Sequence, residues 1–398
     1  MAVTAALRQY PFERFTGDLP EELLDMVVTD PISRVRLPDG RPAWLVLDYE
    51  NCCTVLSDLR FSRLPLGETE RPRADGPRVL NMDGPPHTSL RRSAARPFAP
   101  RRISEWRPKV QQIVDELVDA MIAGPRPADV VTGLVAPLPL LAVCEVLGVP
   151  AADRARFYGW LRGINSIVAY GSDEAAAALA DVRLYLGGQV EAKRAEPGDD
   201  LLSSWLDGGG AELTDEEIVE LAMGVLVGGI EINTTTAGLR ALFLYPEQLR
   251  NLVEHPEKAG AAADEMLRYA AVSPMFRVQV VTEDLELGGV PMREGDCVMA
   301  IPWVGNRDPR VFPNPNVFDI DRPQPAPHLT FGFGPHYCMG SALGKMQVEL
   351  AIQTLVRRLP GLAPAIPIDE LPWRHDRINC GILSFPIEWD EKNAEPAA

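Results

Sequence analysis

The stretch from Thr214 to Pro246 constrains the fold of this chain more than any other. Thr214-Asp-Glu-Glu217 has the form of a capping box, in which the hydroxyl and the carboxylate satisfy free backbone N–H groups and start a helix. Apolar residues then recur at helical spacing until Tyr245-Pro246, where proline supplies the stop. The implied helix has about 30 residues and, at about 1.5 Å per residue, runs about 45 Å. A helix of that length crosses a whole domain and needs other helices to cover it. Its most apolar part, Leu221 to Ile230, is ten residues long with Glu217, Glu220 and Glu231 around it. A bilayer span needs about 20 apolar residues, so a core helix is expected and no membrane partner.

From about residue 100 onward Ala, Leu, Val, Arg and Glu recur at helical spacing, so the chain reads as mainly α. Small sheets are expected at two places. Ile32 to Leu37 and Ala43 to Leu47 flank Pro38-Asp-Gly40, a hairpin signal, and residues 278–301 hold short strands around Gly288-Gly289 and Arg293-Glu-Gly-Asp296. Residues 305–330, rich in Pro, Asn and Asp, read as ordered coil. Pro197-Gly-Asp-Asp200 and Gly208-Gly-Gly210 are the best linker candidates, but both are short, so one domain over 1–398 is expected.

Composition removes several function classes. With 39 basic and 56 acidic side chains the formal charge is −17, which argues against a general nucleic-acid binder. Six scattered cysteines lack the spacing of a secreted disulfide scaffold, and Met1 to Leu7 lack the pattern of a signal peptide. A soluble, cytoplasmic protein with reduced thiols is the expectation.

The chemistry points to Phe331-Gly-Phe-Gly-Pro-His-Tyr-Cys-Met-Gly340, followed at once by a helical Ser341-Ala-Leu-Gly-Lys-Met-Gln-Val-Glu-Leu-Ala351. Gly332, Gly334 and Gly340 let the backbone turn tightly around Cys338, and helix-start amides aimed at that sulfur would favour its thiolate. His336 and Cys338 alone do not make a zinc site. A glycine-rich turn with a buried cysteine is the plain alternative. The segment resembles the haem-binding loop of cytochrome P450 enzymes, Phe-Gly-x-Gly-x-His-x-Cys-x-Gly, at all six fixed positions. At about 5% usage per position, chance matching in a chain this long is on the order of one in a hundred thousand.

That resemblance implies the mainly α cytochrome P450 fold, with small β-sheets and the long central helix over haem b (iron protoporphyrin IX). It makes Cys338 the axial metal ligand, with Phe331 and Gly340 forming its loop. It also implies that His87 and Arg91, four apart in Asp83-Gly-Pro-Pro-His-Thr-Ser-Leu-Arg91, grip a haem propionate, with Arg277 and His336 as further donors. Glu265-Met-Leu-Arg268 with Arg322 matches the family's buried ion-pair network, although Glu-x-x-Arg alone is a common surface pair. Asn306-Arg-Asp308 matches a further signature.

The long helix departs from the family pattern. Leu226-Val-Gly-Gly-Ile-Glu-Ile-Asn-Thr-Thr-Thr236 aligns on Gly228-Gly229 so that Glu231 is the acid, while Ile232 and Asn233 stand where two threonines are usual. Glu231, Ile232 and Asn233 are thus the candidate catalytic positions, and the hydroxyl that helps deliver protons is missing. Either Asn233 or water substitutes in an ordinary hydroxylase or epoxidase, or the bound substrate completes the relay in an enzyme that couples radicals. Ser341 to Gly344, Leu359-Pro-Gly361, Ile366 to Arg374 and Asp321-Arg-Pro323 resemble bacterial members that join rings of aromatic cyclodipeptides. The resemblance therefore implies oxidation of a small aromatic secondary metabolite, favoured as coupling of a tryptophan- or tyrosine-containing cyclodipeptide. Conventional monooxygenation and non-catalytic ligand binding remain the alternatives. Projected pocket residues are Leu64, Pro65, Ile164, Ile167, Val168, Val227, Gly228, Met275, Phe276, Ile382 and Leu383, mostly apolar.

From Arg91 through Lys109 seven basic residues face one acid, Glu105. A solvated helix face is the plain reading. The functional one is a dock, near Lys345, for an acidic electron-transfer protein. Separate ferredoxin and ferredoxin reductase partners are expected.

Overall fold

A computed structural model describes residues 7–12, 17–64, 82–154, 156–157, 159–160, 173–207, 213–229, 233–271, 276–374 and 381–390. Both arms of the capping box form: Glu217 N–H donates to Thr214 Oγ1 at 3.2 Å, and Thr214 N–H to Glu217 Oε2 at 2.8 Å. The helix they start runs Asp215–Gly228, and a second stretch follows at Asn233–Leu244; residues 230–232 between them lie outside the described residues. The stop falls where proline put it, since Pro246 opens the separate helix Pro246–Glu254. Among the described residues the 215–244 stretch is long and apolar enough to cross a membrane, more than its ten-residue centre suggested. In this fold 67% of its apolar window is buried, packed as core.

Leu221, Met223 and Leu226 share one apolar cluster with Val114 of helix Arg107–Ala123, Met266 of Ala259–Tyr269 and Leu355 of Ser341–Arg358. Burying such side chains is worth roughly 1.5–3 kcal/mol each, so the helices hold one another through these faces. Mainly helical architecture with small sheets is therefore the observed class.

The largest sheet orders its strands Arg8–Gln9, Ile32–Arg36, Pro42–Val46, Cys297–Ala300, Gln279–Val281 and Phe61–Ser62. The expected hairpin is present, with Ile32 opposite Val46 and Arg36 opposite Pro42. Its turn needs Gly40, whose φ of +86° lets its N–H reach the Leu37 carbonyl at 2.9 Å. The strands expected in 278–301 also form. This sheet ends at Ser62, so it delivers Arg63 and Leu64 to the neighbourhood of helix Gly84–Ala94. The five described cysteines, Cys52, Cys53, Cys144, Cys297 and Cys338, are free thiols.

Candidate functional site

The loop around Cys338 is built by backbone that only glycine adopts cheaply. Gly332 and Gly334 take φ of +78° and +69°. At Gly334 a Cβ would also come within 2.7 Å of the Ser57 backbone. The Cys338 N–H returns to the Phe331 carbonyl at 2.8 Å, closing the loop just before helix Ser341–Arg358. Phe331 packs against Gly344, where a Cβ would stand 3.4 Å from its ring. A Cβ on Gly340 would lie 3.9 Å from the Cys338 sulfur.

Helix-start amides alone do not lower the pKa of this sulfur. Burial pushes the Cys338 thiol up, and the Gly340 N–H and the Arg91 charge offset that only in part. Desolvation wins because a thiolate away from water needs a full positive charge beside it. A metal cation supplies that charge and an amide pair does not.

The loop is anchored to the most deeply buried ion-pair network among the described residues. Arg268 forks onto Glu265 at 2.7 and 2.8 Å, and Arg322 Nε reaches Glu265 Oε1 at 3.2 Å. The Arg268 Nη1 also donates to the Asn306 carbonyl at 2.9 Å. Asn306 then receives the Leu329 N–H at 2.6 Å and donates to Thr330 Oγ1 at 3.0 Å, and these residues begin the cysteine loop. Glu-x-x-Arg is here a brace, far from the surface pair its spacing alone suggests.

Beside the sulfur lies a cationic cluster. Helix Gly84–Ala94 carries His87 and Arg91 on one face; His87 is buried, and Arg91 donates to the Tyr337 carbonyl in the cysteine loop. The His87 and His336 rings stack with centroids 3.9 Å apart. Asp83 accepts from His336 Nε2 at 2.9 Å, from the Ser62 hydroxyl at 2.7 Å and from the Arg63 N–H at 2.6 Å. Burial would raise the Asp83 carboxyl, but the bonds from His336 and Ser62 outweigh it and hold it far below the usual range. Burial and the neighbouring His336 and Arg91 pull His87 down to about 4. Arg277 belongs to the cluster through its repulsion of Arg63. Sequence reasoning missed both Asp83 and Arg63. Their partners are about twenty and, for His336, 253 residues away, and Phe-Ser-Arg after a strand carries no local signal.

This arrangement fits a haem. One half-buried sulfur can serve as a single metal donor, and several cations stand beside it around one carboxylate already filled by three donors. His87 Nε2 and Arg63 Nε are buried without a hydrogen-bond partner, as expected of donors shaped for an anionic group.

Of the expected catalytic residues, Asn233 is buried in the distal helix, and a side chain at Gly381 would overlap its carboxamide oxygen. Glu231 and Ile232 lie outside the described residues, as do Pro65, Ile164, Ile167, Val168 and Met275. Val227 and Gly228 end the first distal stretch. Ile382 is buried in the strand pair Trp373–Arg374 with Gly381–Ile382, and Phe276 meets Trp303 edge-on at 5.4 Å. Leu64 and Leu383 are each 46% exposed. Asn233 against Gly381 is one close approach between helix Asn233–Leu244 and this late turn.

The basic segment is less bare than its own sequence suggested. Arg102 pairs with Glu105 and Asp199, Arg107 with Glu349 at 2.5 Å and Lys109 with Glu145 at 3.2 Å. Lys345 pairs with Asp264 at 2.6 Å. Arg92, Arg96 and Arg101 remain exposed and without an ion pair among the described residues.

Comparison with known proteins agrees with the geometry. Residues 259–360 match the family model for cytochrome P450. Nocardicin C N-oxygenase of Nocardia uniformis subsp. tsuyamanensis is 38% identical, covering 96% of this chain and 98% of its own length. The LnmA cytochrome P450 hydroxylase of the leinamycin biosynthetic pathway of Streptomyces atroolivaceus S-140 superposes with a TM-score of 0.89 at 36% identity, covering 96% of this chain and 100% of that one. Cytochrome P450mel 107F1, a protein with biaryl coupling reactivity, superposes with a TM-score of 0.85 at 32% identity, covering 96% and 100%.

Proposed function

This chain belongs to the cytochrome P450 family, and on that premise we propose that it oxidises a small aromatic secondary metabolite, joining rings of a tryptophan- or tyrosine-containing cyclodipeptide. The coarser statement needs no proposal. The protein is an oxidoreductase, a haem-thiolate monooxygenase of secondary metabolism, and its family's cofactor is iron protoporphyrin IX. A non-catalytic ligand carrier is thereby set aside.

When bound, the haem supplies the power to activate dioxygen and remove hydrogen from substrate. In our reading Cys338 would hold the iron, inside the loop of Phe331 and Gly340. His87, Arg91, Arg277 and His336 hold the propionates. Glu231 moves protons on the distal side, and Asn233 fixes the late turn carrying Ile382 and Leu383 against the distal helix. The apolar positions Leu64, Pro65, Ile164, Ile167, Val168, Val227, Gly228, Met275 and Phe276 complete the pocket. One domain spans 1–398, in keeping with relatives that match 96% of the chain. Electrons arrive in the cytoplasm from a separate ferredoxin and its reductase, docked at Arg92, Arg96 and Arg101.

The single observation that carries coupling is Ile232-Asn233 in place of the two hydroxyls. Isoleucine cannot pass a proton, so a hydroxyl, amide or water brought by the substrate completes the path. An enzyme that abstracts hydrogen and then joins radicals tolerates this better than one that inserts oxygen. Coupling reactivity in a relative of the same fold supports the reading. Ordinary oxygen insertion is the second reading, favoured by the N-oxygenase and hydroxylase activities of other relatives.

The test is to titrate ferric protein with aromatic cyclodipeptides while following the Soret band, then to run turnover with a surrogate ferredoxin, reductase and isotopically labelled dioxygen. Saturable shifts and a dimeric or arylated product without label are expected, and Ile232→Thr should raise the labelled share. Labelled monomeric product from the parent, or no shift with any cyclodipeptide, would overturn the coupling reading.

A further inference from the structure

The buried arginines among the described residues have partners. Arg268 and Arg322 meet Glu265, Arg358 meets Asp115 and Asp119, and Arg307 lies on the Tyr269 ring at 3.7 Å while donating to its carbonyl. Half-buried Arg63, whose Nε is shut off from solvent, has none among the described residues.

Its backbone N–H donates to Asp83 Oδ2 at 2.6 Å, and the Ser62 hydroxyl takes the same oxygen at 2.7 Å. His336 Nε2 occupies the other oxygen at 2.9 Å. The carboxylate is thus filled without the Arg63 guanidinium, which pairs with no described residue. Its Nε is buried and has no hydrogen-bond partner. Burial and the like charges of Arg277 and Arg91 outweigh the attraction of Asp83 and draw this arginine down to about 9. A cation withdrawn from water and faced by other cations is strongly unfavourable unless an anion joins it.

We propose that Arg63, at the end of strand Phe61–Ser62 and near enough to Arg91 and Arg277 to feel their charge, is a further anchor for a haem propionate. The inference rests on the haem reading and adds a residue outside the motifs that led to it. Asp83 positions it, because the clasp on the Arg63 N–H fixes where the guanidinium begins. The same carboxylate orients His336, so one side chain sets two of the cluster's donors. Arginine suits the role since its planar fork can bind a carboxylate through two parallel hydrogen bonds.

The experiment compares ferric holoenzyme of the parent, Arg63→Gln and Arg63→Lys, measuring the rate of haem transfer to excess apomyoglobin. One lost charge-assisted contact predicts about tenfold faster release from Arg63→Gln, with Arg63→Lys about halfway between on a logarithmic scale. The ferric/ferrous midpoint potential of Arg63→Gln should also fall, because a cation beside the haem favours the added electron. With haem dimethyl ester, whose propionates carry no charge, parent and Arg63→Gln should release at equal rates. Equal rates with ordinary haem would overturn the proposal. So would a difference of the same size with the ester, which marks a merely structural role. A parent that held no haem, or held it without thiolate-type absorbance, would overturn the haem reading instead.

Discussion

Arg268 grips Glu265 through two nearly parallel hydrogen bonds of 2.7 and 2.8 Å, with neither side chain exposed at all. A commonplace helical i,i+3 pair has become the hub between the helix Ala259–Tyr269, the coil at 306–322 and the start of the cysteine loop. Removing one partner leaves a buried charge unmatched. Glu265→Gln or Arg268→Ala should therefore cost on the order of 3–5 kcal/mol in stability. Denaturant unfolding of the holoprotein measures this, together with the fraction that retains haem.

His328, just upstream of the cysteine loop, provides a pH test. Burial, with Lys345 and Arg268 nearby, draws its imidazole down to about 4 despite the attraction of Asp264 and Glu265. The folded form thus refuses a proton that the unfolded chain accepts below its ordinary value near 6.5. Stability from this residue is fully present above about pH 6.5 and declines as pH falls towards 4. The slope per proton approaches about 1.4 kcal/mol per pH unit. His328→Gln should flatten the curve in this window by nearly one proton, read from denaturant unfolding at several pH values.

Asn233 and Gly381 form a steric lock between the distal helix and the late turn. Gly381→Ala should cost about 1–3 kcal/mol by overpacking and should weaken substrate-induced Soret shifts. Adding Asn233→Ala removes the oxygen that the new methyl meets, so the double variant should be more stable than the sum of the single effects. A double-mutant cycle reads the coupling.

Reduction by an acidic ferredoxin should depend on Arg92, Arg96 and Arg101. Changing all three to Glu should slow it by about tenfold or more at low ionic strength, with the difference shrinking as salt rises. Substrate titrations of the ferric enzyme should be unchanged. Stopped-flow reduction across a salt series measures both.

Much of this organisation was legible in the sequence where the determinant is local. The capping box at Thr214, the turn at Gly40, the stop at Pro246 and the glycines around Cys338 depend on neighbours a few residues away. Glu265, Arg268 and Arg322 became legible only through family resemblance, because their spacing alone describes a surface pair. What stayed hidden depends on distant partners. Asp83 meets His336 from 253 residues away, and Arg107 meets Glu349 from 242. Counting charges along the segment therefore overstated the bare basic face, and Arg63, outside it, carried no local signal. The cysteine loop was legible from its local motif, but the upward push that burial gives the Cys338 thiol was not, because desolvation is a property of the packed interior and no local pattern encodes it.

The most direct test of the account is the spectrum of the reduced carbon monoxide complex of the parent and of Cys338→Ala. The parent should show thiolate-type absorbance, and the variant should lose it whether or not haem remains bound. Survival of that absorbance in Cys338→Ala would contradict the assignment of Cys338 as the axial ligand, on which every other role at this site depends.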